Sequence, residues 1–370
     1  MRLLYFSRDY TTHDHRFLAA LSKTDWQVYY LRLEGGGHVL EDRPLPMGIQ
    51  PVEWVGGKQP AKRRDGLRLF TDLKRVIRQV KPDLIHAGPI QRPAFLAALA
   101  GFHPLVSMSW GYDLLQDASL NPAWSWATRF TLRRSDAFVG DCDTIRNLAI
   151  AYGMREDRII TFPWGIDLEH FHVGKLEKTN VELFQRSNVL PFNILSTRSW
   201  EPIYGIDVIA RAFCLAARKQ PELRLTLLGG GSQYASVRQI LLVGAAFDKV
   251  SFPGQVAYSE LPGYFQQANI YVGASHSDGT SISLLEAFAT GTPAIVPDIP
   301  GNREWVIPGE NGWLFADGDA EALAVAILNA INLRGQLPEM GLTARRLAEE
   351  RADWKKNFPM LQKAYALALS

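Results

Sequence analysis

Between Gly273 and Val306 the chain reads GASHSDGTSISLLEAFATGTPAIVPDIPGNREWV, which sets two carboxylates, Asp278 and Glu286, around the start of a helix. A pocket for a phosphorylated sugar needs that arrangement. Asp278 and Gly279 follow a buried strand, NIYVGAS, and Thr280, Ser281 and Ser283 offer hydroxyls suited to capping a helix that turns Ile282, Leu285 and Phe288 inward. Gly291 and then Pro293 end that helix. Exposed amides at its N-terminus attract phosphate, with a dipole contribution of roughly 0.3–1 kcal/mol. Glu286 lies further in, where a carboxylate repels phosphate but accepts hydrogen bonds from paired hydroxyls such as those of a ribose. Asp278, on the loop, suits the hydroxyls of the transferred sugar.

Further strings occur in a fixed order: NILSTRSWEPIYGIDVIARAF, LRLTLLGGGS, VSFPGQVAYSELPGYFQQANIYV and GENGWLF in the second half, and DLIHAG, SWGYDLL and FPWGIDLEHF in the first. Together with the acidic-x7-Glu segment they resemble family-4 glycosyltransferases, here with Asp278 where the family usually has Glu. The resemblance covers nearly the whole chain and is strongest from Phe192 to Ile327. It implies a retaining enzyme of the GT-B fold: α/β, two Rossmann-like doubly wound parallel-sheet domains facing an interdomain cleft.

Moving a sugar off a nucleoside diphosphate builds negative charge on the departing phosphate, which fixed donors or a metal must hold. Arg198, in STRSWEPIYGID, stands where the family places a diphosphate-gripping arginine, and a planar guanidinium suits that task. A family lysine before the next glycine is replaced by Tyr204, which can hydrogen-bond a phosphate but brings no charge. Glu201 and Trp200 either line the site or pack beside it. Gly229 and Gly230, in GGGS, allow a tight turn beside the donor. They are no dinucleotide fingerprint, because Tyr234 stands where the third glycine belongs and Gly254 where the acid belongs. Gln255 and Val256 resemble the segment that lies along the nucleobase.

The first half is expected to serve the acceptor. RDYTTHDHR, Arg8 to Arg16, reads as the polar loop after the first strand, and Arg8, His13, Asp14 and His15 are candidates there. SWGYD resembles the family's HGxD segment, with Asp113 kept and Trp110 in the histidine's place; an indole cannot shuttle a proton but can stack on a sugar face. Asp141 and Asp143 form DCD, which imitates a metal-binding DxD, yet one of them capping the next helix is the better account. No metal or other cofactor is expected.

These residues need a scaffold of alternating strands and helices, and the sequence alternates throughout. RLLYFS, QVYYLRL, DLIHAG, LVSMSW, AFVGD and IITFPWG read as one parallel sheet, and FNILSTRS, LRLTLLGG, KVSFPG, NIYVGAS, TPAIVPD and GWLFA as a second. The expected domains are 1–185 on the acceptor side, 186–352 for the nucleotide sugar, and 353–370, a helix crossing back to the first. The 370 residues, 47% hydrophobic and 21% charged, suit two ordinary cores. Two cysteines argue against a disulfide framework, and no apolar run approaches the ~20 residues of a membrane span. A net charge of +2 gives no reason to expect nucleic acid. From Lys58 to Lys81 basic residues dominate, with Leu67, Phe70, Leu73, Val76, Ile77 and Val80 at helical spacing. Its plainer reading is a solvated helix face; the other is a patch for anionic lipid headgroups, giving a cytoplasmic enzyme peripheral at the inner face of a membrane.

The expected function is a hexosyltransferase that moves a sugar from a UDP- or GDP-linked donor to a hydroxyl of a saccharide, lipid-linked or small-molecule acceptor, in cell-surface polysaccharide or glycolipid synthesis. The alternatives are a sugar-nucleotide-binding subunit without turnover and a non-hydrolysing nucleotide-sugar epimerase.

Overall fold

Runs of Leu, Ile, Val and Ala too short for helices and buried on both sides build two parallel sheets in the computed structural model, which describes residues 1–35, 41, 43–174 and 191–370. The first sheet contains β1 (Arg2–Ser7), β2 (Gln27–Arg32), β3 (Gln50–Pro51), β4 (Leu84–Gly88), β5 (Leu105–Met108), β6 (Ala137–Gly140) and β7 (Ile159–Thr161), in the order β3-β2-β1-β4-β5-β6-β7. Its helices include α1 (Thr12–Leu21), α2 (Gly66–Val80), α3 (Phe95–Leu99), α4 (Tyr112–Leu115), α5 (Pro122–Arg133) and α6 (Asp143–Ala151). One turn of π-helix, Ile90–Ala94, follows β4.

The second sheet contains β8 (Phe192–Ser196), β9 (Leu223–Leu228), β10 (Val250–Gly254), β11 (Ile270–Val272), β12 (Ala294–Pro297) and β13 (Gly312–Phe315), in the order β10-β9-β8-β11-β12-β13. Around it lie α7 (Ile206–Lys219), α8 (Tyr234–Val243), α9 (Leu261–Gln267), α10 (Ile282–Ala289), α11 (Pro300–Arg303), α12 (Ala320–Asn332) and α13 (Leu337–Arg351). All described strand pairs in both sheets are parallel. In each sheet the order reverses beside the first strand, between β1 and β4 and between β8 and β11. Such a reversal opens a crevice at the strands' carboxyl ends, the usual place for a ligand in this architecture.

Helix α7 shows why the segments fold as they do. Ile206, Ile209, Ala210, Phe213 and Ala217 recur every three or four residues and are buried, and each large apolar side chain contributes about 1.5–3 kcal/mol. They join Ile194, Leu225, Leu227 and Ile270 in one core, while Leu195, Tyr271, Leu285, Phe288 and Val296 build another on alternate strand positions.

By its contacts the chain divides into two units: residues Met1–Phe162 with Phe358–Ser370, and residues Pro163–Asn357. The helix α14 (Trp354–Leu369) runs through the second point of division. The boundary expected between 185 and 186 lies outside the described residues.

Helix α2 departs from its expected inward stripe. Leu69, Leu73, Val76 and Val80 are buried, but Leu67 is 76% exposed. The helix begins at Gly66 in a register that directs Leu69 and its neighbours at 3–4 residue spacing to the core, which leaves Leu67 outside. Among the described residues no helix is long and apolar enough to cross a membrane.

Candidate functional site

Two strand ends flank the reversal in the second sheet, and each delivers a charged residue. The chain leaving β8 presents Arg198 and the chain leaving β11 presents Asp278; Arg198 Nη2 donates to Asp278 Oδ2 at 2.8 Å. Both side chains are mostly covered, at 16% and 19% exposure. The guanidinium also lies 4.3 Å from the centre of the Tyr204 ring. Burial works against the charge of Arg198, but Asp278, the Tyr204 and Tyr271 hydroxyls and Glu286 outweigh it and raise its pKa. Arg198 Nε is buried and has no hydrogen-bond partner among the described residues. A buried, unsatisfied guanidinium nitrogen is costly, and an arriving anion would satisfy it.

Glu286 occupies the second turn of α10 and is buried, close enough for its charge to act on Arg198. Ser281 holds the N-cap position of α10, but its hydroxyl makes no cap hydrogen bond. The expected hydroxyl cap is therefore corrected for Ser281: it stands at the N-cap with an extended backbone and its carbonyl accepts the first helical bond, from Leu285 N at 3.1 Å, but its hydroxyl caps no amide. Ser283 lies beside the buried Tyr271 hydroxyl, a neighbour with no signal in the sequence. Gly279 and Thr280 are buried. A Cβ on Gly301 would stand 2.2 Å from the Gly279 carbonyl oxygen, so α11 presses its backbone directly on the loop carrying Asp278.

Tyr204 ends a short turn, Pro202–Tyr204, and Gly205 follows at φ +59° with its Cβ position 2.3 Å from Ala274 O. Only glycine fits there, and the close approach ties the Tyr204 turn to the chain leaving β11. Gly229, at φ +79°, donates to Gly254 O at 2.7 Å, and a Cβ on it would lie 3.4 Å from Arg198 O. Gly230 accepts from Trp200 N at 2.9 Å. Trp200 packs: its ring is buried and its indole N–H donates to Leu228 O at 2.9 Å. Glu201 accepts from Ser232 N at 2.9 Å and from the Ser232 hydroxyl, closing the glycine loop. Gln255 is exposed, and Val256 is half-buried against the second core.

In the first unit the supposed polar loop is partly helix. Thr12 already begins α1, so His13, Asp14 and His15 lie on its first turn. Asp14 faces inward: it completes a capping box with Thr11, accepts from Tyr5 Oη at 3.1 Å, and burial lifts its pKa to about 6. His15 Nδ1 lies 2.7 Å from Tyr10 Oη, and burial lowers its pKa. His13 sets its ring 5.2 Å from that of Trp110. Asp113 is fully buried and holds Ser109 Oγ at 2.6 Å, Ile90 N at 2.9 Å and Trp110 N at 3.0 Å; burial lifts its pKa to about 6. Arg8, just beyond β1, pairs with Glu34 at 3.2 Å, and Glu34 also holds Arg92 of the π-helical turn at 2.9 Å. Neither Glu34 nor Arg92 stands in a motif, so the sequence carries no signal for this pairing. In DCD, Cys142 takes the N-cap of α6 and its side chain makes no cap bond, so neither Asp141 nor Asp143 is the cap as expected. The extended N-cap backbone falls on Cys142, between the two aspartates. Among the described residues no three His, Cys, Asp or Glu side chains gather around a common metal position.

Residues 182–358 match the model of glycosyl transferases group 1, and residues 11–170 match that of glycosyltransferase family 4. The chain belongs to the GT-B glycosyltransferases. Among relatives of this glycosyltransferase, the UDP-N-acetylglucosamine–peptide N-acetylglucosaminyltransferase GtfA subunit of Streptococcus pneumoniae is 27% identical over 44% of the chain, and the mannosylfructose-phosphate synthase of Agrobacterium fabrum 28% over 51%. The matched stretches span 30% and 44% of those two proteins, less than half of either. Sucrose-phosphate synthase from Thermosynechococcus elongatus superposes at a TM-score of 0.79 with 17% identity, covering 99% of this chain and 98% of that one. Anabaena HepE in complex with UDP gives 0.79 and 17% over 99% and 100%. At such identities the likeness concerns the fold.

Proposed function

We propose that this glycosyltransferase is a retaining hexosyltransferase that takes a sugar from a UDP- or GDP-linked donor. The observation that carries the reading is the Arg198–Asp278 pair at the reversal of the second sheet, beside buried Glu286 and the start of α10. Arg198 and the amides of Gly279, Thr280 and Ser281 hold the leaving diphosphate. Asp278 orients the transferred sugar, Glu286 takes the ribose hydroxyls, and Tyr204, Gly229, Gly230, Gln255, Val256 and Ser283 complete the donor pocket. HepE, a neighbour in fold, has been seen with UDP and with UDP-glucose, which favours a uridine donor.

No carboxylate is assigned as a nucleophile. The acceptor hydroxyl attacks the anomeric carbon on the face the diphosphate is leaving, and the departing phosphate oxygen takes its proton. The charge is met by guanidinium and amide donors fixed in advance, and no metal is assigned a part.

Arg8, His13, His15 and Trp110 serve the acceptor, with Asp14 and Asp113 fixing the backbone around them. The Lys58–Lys81 stretch touches anionic lipid, placing the enzyme at the inner face of a membrane. The amylovoran glycosyltransferase AmsK of Erwinia amylovora, 26% identical over 54% of the chain, favours a polysaccharide pathway.

The test is donor binding and turnover in wild type and Arg198→Ala. UDP-glucose, UDP-N-acetylglucosamine and GDP-mannose are screened by thermal shift, then by donor hydrolysis and transfer. Arg198→Ala should lose the shift and about 10²–10³-fold in rate; near-normal turnover overturns the assignment. A second reading, a binding subunit without turnover, is favoured by Tyr204 standing where a cation is expected. Donor binding with no hydrolysis or transfer across an acceptor panel selects it.

A further inference from the structure

Outside the donor and acceptor residues assigned above, and within the basic Lys58–Lys81 stretch, the first unit has a half-open hollow of about 250 Å³ next to the start of α2, its four cations exposed to solvent. Lys58, Lys62, Arg64 and Arg68 line it, with Leu33 and Leu69 among its apolar walls. Among the described residues Asp65 is the one carboxylate in the lining, against four cations. It is already engaged: Asp65 Oδ2 accepts from Lys62 N at 3.0 Å, and Arg68 Nη2 stands 4.0 Å from Oδ1. Among the described residues no carboxylate lies within ion-pairing distance of Lys58, Lys62 or Arg64. Like charges gathered around one small volume repel one another unless an anion joins them. The N-terminus of α2, a 15-residue helix whose N-cap Asp65 makes no side-chain cap bond, adds its positive end to the same place.

We infer that this cavity is a phosphomonoester site. At about 30 Å³ per water it holds several waters, or one terminal phosphate with the first atoms of its ester. A phosphomonoester offers three oxygens and up to two charges to the four cations, and a diester offers fewer of each. The phosphate belongs either to a lipid headgroup or to a soluble phosphorylated metabolite. The lipid source rests on the proposed membrane contact of the Lys58–Lys81 stretch and turns it from diffuse attraction into recognition of a particular headgroup.

The experiment uses the full chain saturated with UDP, so that any donor cradle is filled. Glycerol 3-phosphate is titrated by calorimetry, and flotation is measured with phosphatidylcholine vesicles carrying phosphatidic acid or, at matched surface charge, phosphatidylglycerol. The triple variant Lys62→Ala/Arg64→Ala/Arg68→Ala should bind at least about tenfold more weakly, and Asp65→Asn should bind more tightly. A preference for phosphatidic acid that the triple variant loses identifies the lipid source; saturable glycerol 3-phosphate binding without that preference identifies the soluble one. Equal flotation with both lipids and no saturable glycerol 3-phosphate binding overturns the inference, as does a triple variant that behaves like wild type. An unchanged UDP thermal shift in the triple variant shows that it is folded. Loss of that shift in Arg198→Ala, with glycerol 3-phosphate binding retained, separates failure at this cavity from failure of the donor reading.

Discussion

Arg198 is held by a carboxylate on one side and an aromatic ring on the other, and the two supports respond differently to substitution. Replacing Tyr204 with lysine removes a cation–π contact worth about 0.5–2 kcal/mol and sets two cations side by side, so the ligand-free protein should melt earlier. The same change supplies the charge that a diphosphate seeks. Tyr204→Lys is therefore expected to lower Tm without nucleotide and to tighten UDP or GDP several-fold, checked by thermal shift and calorimetry. A variant that loses both stability and nucleotide affinity would show that the ring has a positioning role that charge cannot replace. At this scale the sequence was legible in that Arg198 and Asp278, read from separate motifs as parts of one site, lie 2.8 Å apart. It was less so for Asp14 and Asp113, because a buried carboxylate spent on backbone amides looks in sequence like one facing a ligand. Thr11-x-x-Asp14 is a capping-box spacing, and it held the signal that Asp14 belongs to the helix start.

Elements bring these residues together through close backbone approach. Gly301 on α11 leaves no room for a methyl group against Gly279 O, so Gly301→Ala must push the Asp278 loop away or shift α11. Either response should cost about 1–3 kcal/mol of stability and weaken nucleotide binding, although Arg198, Asp278 and Glu286 all remain. Tm and UDP affinity measured together check this; an unchanged affinity would mean that the loop does not need α11. The strands were readable because parallel sheets buried on both faces give unbroken apolar runs. β3 and α13 are among the elements that escaped. β3 is two exposed residues with no period to detect, and α13 buries Leu337 and Met340 at its start but beyond them only Gly341, Ala344 and Ala348, small residues that leave a faint apolar stripe among its charges. The stripe assigned to α2 failed at Leu67 for the opposite reason, since an exposed leucine carries the same sequence signal as a buried one.

At the scale of the molecule, acid stability depends on groups buried in the first unit with opposite signs. His86 is fully covered, 2.6 Å from Tyr365 Oη, and burial lowers its pKa to about 3. Below pH 6.5 the unfolded chain binds a proton that the folded one refuses, so this histidine removes stability as pH falls, by about 2 kcal/mol at pH 5. Asp14 and Asp113, lifted to about 6, act in reverse: between pH 6 and 4 the folded form keeps protons that the unfolded chain releases, and acidification adds stability. His86→Asn should therefore change the pH slope, with Tm rising between pH 7 and pH 5 relative to wild type whatever the variant's absolute stability. Parallel Tm curves would sink this account.

The partner of His86 comes from the far end of the chain. Tyr365 belongs to the stretch Phe358–Ser370 that completes the first unit, whereas residues Pro163–Asn357 form a continuous insertion within it. During synthesis the first strands leave the ribosome before their last packing partner has been translated. The nascent first unit must wait with a slot open around His86 while the inserted unit, made later but in one piece, can finish folding ahead of it.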